Sequence, residues 1–326
     1  MRAVQFSRFG GPEVLVAIEA PTPKAQPGEV MVRVRAAGVN FFEALMRADR
    51  YAVTPLLPMI PGVEVAGEIA ALGEGVSGIA VGARVAVPLF AFGRGDGGYA
   101  EFVVVAAAVV VPLPEAVSFE AAVALLVQGL TALNLVRHAA LRGRRVVVTA
   151  AAGGVGSHLL QLAKAEGAAT LIGAASTADK RALAQRLGAD VTVDAAAPDW
   201  DAAVRAATGG AGADVVIDMV GGDQSAIARR ALAPRGELVF GAMGRFALAP
   251  ADVAALLVDN QALRGFALLP LLTPQNVHAD LAALFAQVAG RRLEVIIGGR
   301  FALADAARAH RALESRGSFG KLVLMP

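Results

Sequence analysis

The 326-residue sequence contains no cysteine, two tyrosines and a single tryptophan. The lack of cysteine excludes disulfide frameworks, thiol nucleophiles and every cysteine-liganded zinc or iron–sulfur site. Histidine is scarce as well, since only four are present, with no His-x-x-x-His pair and no acidic cluster beside any of them. We therefore expect no metal site. The four are His138, His158, His278 and His310.

An excess of one charge is also missing. Lysine and arginine total 30 against 28 acidic residues, a net charge of +2, so the isoelectric point near 9.3 reflects the abundance of arginine. A nucleic-acid binder that relies on counterion release needs a clustered basic stripe. The nearest candidate is the short run Arg142, Arg144 and Arg145, which is more typical of a solvated entrance to a strand. No nucleic-acid partner is expected.

Long apolar runs are few. Residues 102–113 form an apolar run of 12 residues, which is shorter than the ~20 that cross a bilayer. The first residues, MRAVQFSRFGGPE, lack the apolar segment and small-residue cleavage site of a signal peptide. We expect a cytoplasmic protein with no membrane partner.

Core-forming material is plentiful, because 56% of the residues are hydrophobic and 18% are charged. This length exceeds what one core usually holds, so two domains are expected. Residues 1–120 contain short valine-rich runs between Gly and Pro, and the alternation in VMVRVR indicates half-buried strands of an antiparallel, barrel-like domain.

Residues 121–264 show a different pattern, in which apolar strands alternate with amphipathic helices. This alternation predicts a parallel sheet covered by helices on both faces, and right-handed crossovers make it doubly wound. Residues 265–326 return to mixed structure, in which a strand is predicted over residues 294–297. The prediction is an α/β protein in which residues 1–120 and 265–326 share one domain and residues 121–264 form the other.

The clearest chemical motif is AAGGVG at residues 151–156, which follows a predicted strand and opens a predicted helix. Gly153 would let the backbone approach a pyrophosphate, and Gly156 would let the helix pack closely on the strand. The amides at Gly154, Val155 and Gly156 would meet the phosphate charge. The motif departs from G-x-G-x-x-G because Ala151 replaces the first glycine. The alternative is a glycine-rich turn without a ligand.

The choice of dinucleotide depends on the end of the second strand, where an acidic residue would accept a hydrogen bond from the ribose of NAD. This chain has Ser176 and Thr177 there, with Lys180 shortly after. Hydroxyls and an ammonium favour a 2′-phosphate, so NADPH is predicted as the cofactor. Asp179 is interpreted as complementing the helix dipole. Lys180 as a solvated helix charge is the alternative.

Several segments are together typical of one family, and they occur in its order over nearly the whole chain. The chain resembles the zinc-free quinone oxidoreductases of the medium-chain dehydrogenase/reductase superfamily. The matching segments are residues 36–51 (AAGVNFFEALMRADRY), 61–67 (PGVEVAG), 82–85 (GARV), 97–102 (GGYAEF), 129–132 (GLTA), 150–156 (AAAGGVG), 161–167 (QLAKAEG) and 307–315 (ARAHRALES).

The resemblance implies a GroES-like barrel domain, made of N-terminal and C-terminal parts, around an inserted Rossmann domain. It also implies that zinc is absent. Asn40 stands where zinc-dependent relatives have a cysteine, and residues 62–64 read Gly-Val-Glu in place of Gly-His-Glu. Without a Lewis acid, the remaining chemistry is hydride transfer to a substrate that is already electrophilic.

The same resemblance implies the pocket residues. Asn40 would lie near the nicotinamide ribose and the substrate, and Leu45, a tyrosine in some relatives, would make the pocket apolar. Tyr51 would be the catalytic hydroxyl that hydrogen-bonds the substrate carbonyl or delivers a proton, with an ordinary surface tyrosine as the alternative. Arg47 would contact substrate, although a structural ion pair is the more favoured interpretation.

Further cofactor contacts follow from the resemblance, with the alternatives that each Phe belongs to the core and that the arginine is a free surface charge. They are Thr131, Phe240, Gly241, Phe266 and Arg316.

The leading hypothesis is an NADPH-dependent reductase of quinones. An NADPH-dependent reductase of enone or acryloyl double bonds uses the same scaffold and remains open, as does an NADPH-binding protein without turnover. A homodimer is expected through Rossmann edge strands, with residues 237–241 and 263–269 as the candidate surface.

Overall fold

The computed structural model describes residues 1–241 and 246–326. The chain divides into two compact units. The barrel unit comprises Met1–Leu130 and Leu272–Pro326, and the sheet unit comprises Thr131–Leu271. Both divisions fall later than residues 120 and 264, where the sequence places them. A helical stretch runs through the first division, and a strand and a short turn before residue 272 still belong to the sheet unit.

The described residues form strands and helices with the following bounds. The strands are β1 (Arg2–Gln5), β2 (Val16–Glu19), β3 (Glu29–Val39), β4 (Val65–Leu72), β5 (Arg84–Val87), β6 (Phe102–Ala106), β7 (Val111–Pro112), β8 (Arg145–Val148), β9 (Thr170–Ala175), β10 (Val191–Asp194), β11 (Ala213–Asp218), β12 (Leu232–Phe240), β13 (Ala262–Gly265), β14 (Ile297–Ala302) and β15 (Lys321–Met325). The α-helices are α1 (Phe41–Arg47), α2 (Phe119–Ala124), α3 (Leu130–Ala139), α4 (Gly154–Glu166), α5 (Ala178–Arg186), α6 (Trp200–Ala207), α7 (Gln224–Arg230), α8 (Pro250–Val258), α9 (Pro274–Ala289) and α10 (Ala306–Glu314).

The barrel unit is built on a seven-stranded sheet in the order β14-β15-β3-β4-β5-β7, with β6 also paired to β3. Strand β3 shows why the alternation in VMVRVR predicts a half-buried strand. Its residues Val30, Val32 and Val34 are buried, whereas Arg33 and Arg35 between them are exposed. Side chains alternate between the faces of a strand, so the valines enter the core and the arginines meet solvent. All pairings except β14 with β15 are antiparallel.

The sheet unit contains a six-stranded parallel sheet in the order β10-β9-β8-β11-β12-β13. The central strands are buried on both faces, which explains their continuous Val and Ile runs. Along the chain, β8, β9 and β10 are added toward one edge of the sheet, whereas β11, β12 and β13 are added toward the other edge. The strand order therefore reverses between β8 and β11. In open parallel sheets, ligands bind at the carboxyl ends of the strands beside this reversal.

The helical stretch Phe119–Ala139 runs across the division at residues 130 and 131, and it is a longer apolar segment than residues 102–113. Its 21 residues are long and apolar enough to cross a membrane by length and composition alone. However, 67% of its most apolar part is buried inside the fold, as in the core helix of a folded domain. A π turn, Leu125–Gly129, interrupts its α-helical bonding between α2 and α3.

Candidate active site

The bend between β8 and α4 has the form that a phosphate-binding turn requires. The residue of this bend with left-handed backbone is Ala150, whose φ is 47°. It precedes Ala151, which stands at the position of the first glycine in G-x-G-x-x-G. Ala151 is fully buried, keeps a negative φ and donates its N–H to the oxygen of Ala174 at 3.1 Å. The left-handed position lies elsewhere, so an alanine at 151 causes no backbone strain.

Gly156 allows α4 to begin directly against this bend. A Cβ on Gly156 would lie 2.8 Å from the Cα of Ala151 and still closer to the oxygen of Ala150. Gly153 is the N-cap, and its Cβ would approach the same oxygen at 3.1 Å. The bend thus presents bare backbone, followed by the free amides of a 13-residue helix, to the carboxyl edge of the sheet.

The end of β9 presents polar side chains to solvent. Ser176, Thr177 and Asp179 are exposed, and Lys180 is partly buried, which lowers the pKa of its ammonium. The Thr177 oxygen caps α5 by accepting the N–H of Lys180 at 3.3 Å, so its hydroxyl proton stays available for a ligand. The next residue, Arg181, was missed in the sequence. It donates to the oxygen of Ala175 and pairs with Asp194 at 3.1 Å.

A buried carboxylate joins the two strands at the reversal point. Asp218, at the end of β11, accepts hydrogen bonds from Thr149 after β8 and from Ser225 on α7, at 3.3 and 3.0 Å. It also accepts the amides of Val220 and Gly221. Four donors fix the loop after β11, and the sequence signal for this anchor is an aspartate that directly follows an apolar strand.

The loops after β12 and β13 lie beside this anchor. Gly241 donates its N–H to the oxygen of Asp218 at 3.0 Å, and Phe266 donates to the oxygen of Phe240 at 2.9 Å. The Phe240 ring stacks on Phe246 with centroids 4.0 Å apart. The structure thus brings Phe240, Gly241 and Phe266 together. Two further predicted contacts belong to other elements of the chain. They are Thr131, buried in the first turn of α3, and Arg316, exposed after α10.

In the barrel unit, Asn40 is the N-cap of α1 and is 2% exposed. Its amide nitrogen donates to Glu64 at 2.7 Å, and its amide oxygen accepts from the Lys321 ammonium at 2.7 Å. Lys321 also pairs with Glu64, and both side chains are fully buried. The second oxygen of Glu64 accepts the amide of Val127 in the π turn at 2.8 Å. Sequence reasoning did not find Glu64 or Lys321 as partners of Asn40.

Arg47 is not placed where a substrate contact needs it. Its side chain is 2% exposed, and the guanidinium donates to the oxygen of Gly10, to His310 and to Glu314 at 3.1, 3.0 and 2.7 Å. Every nitrogen of the guanidinium is thereby engaged within the protein. This corresponds to the ion-pair interpretation of Arg47.

Leu45 and Tyr51, unlike Arg47, lie in surroundings that agree with a role in an apolar substrate pocket. Leu45 is 8% exposed on α1. Tyr51 follows that helix and is half-buried, with its ring 5.7 Å from the ring of Phe42. Burial raises the pKa of the Tyr51 hydroxyl, so at neutral pH it remains a proton donor. Among the described residues, no group of three or more His, Asp or Glu side chains could hold a metal ion.

Two family models match the chain in the order of its units. The model "Alcohol dehydrogenase GroES-like domain" matches residues 26–115, and "Zinc-binding dehydrogenase" matches residues 154–287. A GroES-like barrel combined with a Rossmann sheet defines a medium-chain dehydrogenase/reductase.

The similarity to individual proteins extends over the full length. The chain is 38% identical to the quinone oxidoreductase of Pseudomonas aeruginosa, covering 100% of this chain and 99% of that one, and 32% identical to that of Rattus norvegicus, covering 100% and 98%. Among solved structures, the Escherichia coli quinone oxidoreductase complexed with NADPH matches with a TM-score of 0.90 at 31% identity, covering 100% of both chains. The chain therefore belongs to the quinone oxidoreductase family.

Proposed function

We propose that this protein is an NADPH-dependent quinone oxidoreductase. The observation that carries the proposal is the bare-backbone bend at residues 150–156, which lies at the carboxyl edge of the sheet beside the strand reversal. Relatives of similar length are named quinone oxidoreductases, and one solved relative holds NADPH.

The residues present fit a phosphorylated dinucleotide. Gly153 and Gly156 leave a cradle that a Cβ would fill, and the amides of α4 supply positive partial charge for a pyrophosphate. Ser176, Thr177 and Lys180 would hold the 2′-phosphate, and the sequence has no acidic residue between the end of β9 and Asp179. When bound, the nicotinamide supplies the hydride.

The loops fixed by Asp218 would hold the nicotinamide end. The Gly241 amide donates to the backbone oxygen of Asp218, and the Phe266 amide donates to that of Phe240, so these backbone positions are tied to the ends of the sheet strands. We assign the remaining contacts to Thr131, Arg316 and Asn40, as the family resemblance implies.

On the substrate side, Leu45 and Tyr51 of the barrel unit carry the proposal. Leu45 offers an apolar surface for a quinone ring. The Tyr51 hydroxyl would donate a hydrogen bond to the quinone oxygen and so stabilise the negative charge that develops as hydride arrives at the ring. Its half-buried position keeps the donor partly shielded from water, which strengthens that hydrogen bond.

Calorimetry and steady-state kinetics test the function. We expect NADPH to bind more tightly than NADH, and 1,4-benzoquinone to be reduced at the expense of NADPH. Faster turnover of an α,β-unsaturated ketone would assign the protein to double-bond reduction. Binding of NADPH without turnover of either substrate would make it a cofactor-binding protein, and no heat with either reduced nucleotide would overturn the proposal.

A homodimer is proposed through β13 and α8 of the sheet unit. All four residues of β13 are exposed at the edge of the six-stranded sheet, and an open edge can pair with another strand. Leu263 on this strand is 41% exposed, and Leu257 and Val258 at the end of α8 are 82% and 80% exposed. A second copy would cover both features. Light scattering should give twice the chain mass, and Leu263→Lys should give a monomer.

A cytoplasmic location is proposed as well. The support is the predicted use of NADPH, which cells regenerate internally, and the similarity to quinone oxidoreductases. Cell fractionation with an antibody to the protein tests it, and recovery in the membrane pellet would contradict it.

A further inference from the structure

A chain of buried polar side chains runs through the barrel unit behind the turn that carries Asn40. It begins at Arg47, whose guanidinium contacts Nδ1 of His310 at 3.0 Å. Nε2 of the same histidine contacts the Tyr99 hydroxyl at 3.0 Å, and this hydroxyl reaches Oε2 of Glu43 at 3.2 Å. All four side chains are at most 2% exposed.

The direction of every hydrogen bond in the chain follows from its first member. A guanidinium can only donate, so Nδ1 of His310 must accept. Burial lowers the pKa of His310 to about 3, which leaves a neutral ring with its single proton on Nε2. That proton is donated to the Tyr99 oxygen, and the Tyr99 hydroxyl therefore donates to Glu43.

Glu43 is the end of the chain and holds two backbone segments together. Its Oε2 accepts the N–H of Asn40 at 2.7 Å, and its Oε1 accepts the N–H of Val63 at 3.1 Å. With Tyr99, three donors face the carboxylate. A protonated Glu43 would direct its own O–H at one of these donors, so protonation would break at least one of the hydrogen bonds that hold the turn.

Charged groups on the surrounding elements act on Glu43 in opposite directions. The net effect raises the pKa of Glu43 from its ordinary 4.5 to about 7, with burial as the largest cause and the nearby Glu64 acting in the same direction. Lys321 on β15, the Asn40 amide and the Tyr99 hydroxyl lower it. Beyond Tyr99 lie the neutral His310 and the Arg47 ion pair with Glu314.

We propose that Arg47, His310 and Tyr99 are positioning residues, whose one-way hydrogen-bond chain favours the carboxylate form of Glu43 and thereby helps to hold Asn40 and Val63 in place. None of the three needs to touch the substrate. The proposal rests on the proposed function only in assigning the Asn40 turn to the active site.

The direct test is an infrared titration of the protein without cofactor or substrate. The carbonyl band of protonated Glu43 is identified by its loss in Glu43→Gln. In Tyr99→Phe the chain loses its final donor, and we expect the midpoint of this band to rise by about one pH unit, as the loss of a hydrogen bond to a charged group predicts. Arg47→Met removes the group that sets the direction and should shift the midpoint the same way, should Tyr99→Phe fail to fold.

The other tyrosine provides the control, because Tyr51→Phe should leave the Glu43 band unchanged. An unchanged midpoint in folded Tyr99→Phe or Arg47→Met would overturn the proposal. This titration needs no turnover, so it tests the chain even if the protein proves not to reduce quinones.

Kinetics distinguish positioning from a general structural role. In Tyr99→Phe, the fall of kcat on the acid side should move to higher pH by the same amount as the infrared midpoint, while kcat well above that pH stays close to that of the parent protein. A loss of kcat by one factor at every pH would show that Tyr99 only supports the fold, and would overturn the proposal.

Discussion

The two units present their candidate functional surfaces in opposite ways. In the sheet unit, the predicted phosphate-binding bend is bare backbone, and Ser176 and Thr177 at the end of β9 are exposed. In the barrel unit, Asn40 is held by the charged side chains of Glu64 and Lys321, which water does not reach. Substitutions in the sheet unit should therefore change affinity, whereas those in the barrel unit should change stability and its dependence on pH.

The largest expected effect comes from breaking the buried ion pair. Lys321→Ala leaves Glu64 as an uncompensated charge in the core and should lower the free energy of unfolding by about 3–5 kcal/mol. Urea denaturation measures it. The exposed pair provides the control, since Arg35→Ala removes the partner of Glu68 at the surface and should cost less than ~1 kcal/mol. Similar costs for both would contradict the distinction between the units.

The pH dependence of stability should depend on Glu43. Its pKa is raised in the fold, so its contribution is fully present below pH 4.5 and is lost as pH rises to about 7. The lowered pKa of His310 acts in the opposite sense, since its contribution is lost as pH falls from 6.5 toward about 3.

The difference in unfolding free energy between the parent protein and Glu43→Gln isolates the first effect. This difference should decrease by roughly 3 kcal/mol from about pH 4.5 to pH 7, as measured by urea denaturation across that range. A difference that stays constant with pH would show that Glu43 ionises as in the unfolded chain.

A smaller effect, confined to affinity, is expected at the helix start. In Gly156→Ala the new Cβ meets the Ala150 oxygen and the Ala151 backbone, so α4 must move away from the bend. We expect NADPH to bind about thirtyfold more weakly, equivalent to ~2 kcal/mol of overpacking, by calorimetry. Gly95→Ala, where a Cβ meets nothing within 4 Å, is the control and should bind normally.

The smallest expected effect is at the predicted 2′-phosphate contact. Lys180→Ala should weaken NADPH about tenfold and leave NADH nearly unchanged, because only NADPH carries the phosphate that a charged hydrogen bond would hold. The exposed Lys24→Ala serves as a charge-matched control. Equal losses for both nucleotides would remove Lys180 from cofactor discrimination.

Much of the fold and the glycines of the predicted phosphate-binding bend could be predicted from the sequence, because their signals are local, whereas the left-handed Ala150 could not. Alternating valines indicated β3, and the motif at 151–156 lies in seven consecutive residues with its strand end. Local signals also misplaced elements. The strand predicted over residues 294–297 begins only at Ile297, where it pairs with β15. The start of pairing depends on the partner strand, which lies elsewhere in the sequence.

The barrel site could be predicted only through resemblance. Asn40 and Lys321 are 281 positions apart in the sequence, and Tyr99 and His310 are 211 apart. A local sequence pattern therefore cannot predict either contact. The burial of Lys321 could not be predicted from the sequence either. A lysine is rarely buried, and its charge is stable in a core only when partners such as Glu64 and Asn40 surround it. Arg47 illustrates the same limit, since its partners on α10 decide what it does.

The π turn at Leu125–Gly129 shows how one carboxylate can compensate for an irregular backbone. A π turn is wider than an α-helical turn by one residue, and Glu64 accepts a hydrogen bond from the Val127 amide within this turn. Deleting one residue there would restore ordinary α-helical winding and remove the widened turn whose Val127 amide Glu64 accepts. The turn that precedes α3 is therefore held partly by an anion 63 positions earlier in the sequence.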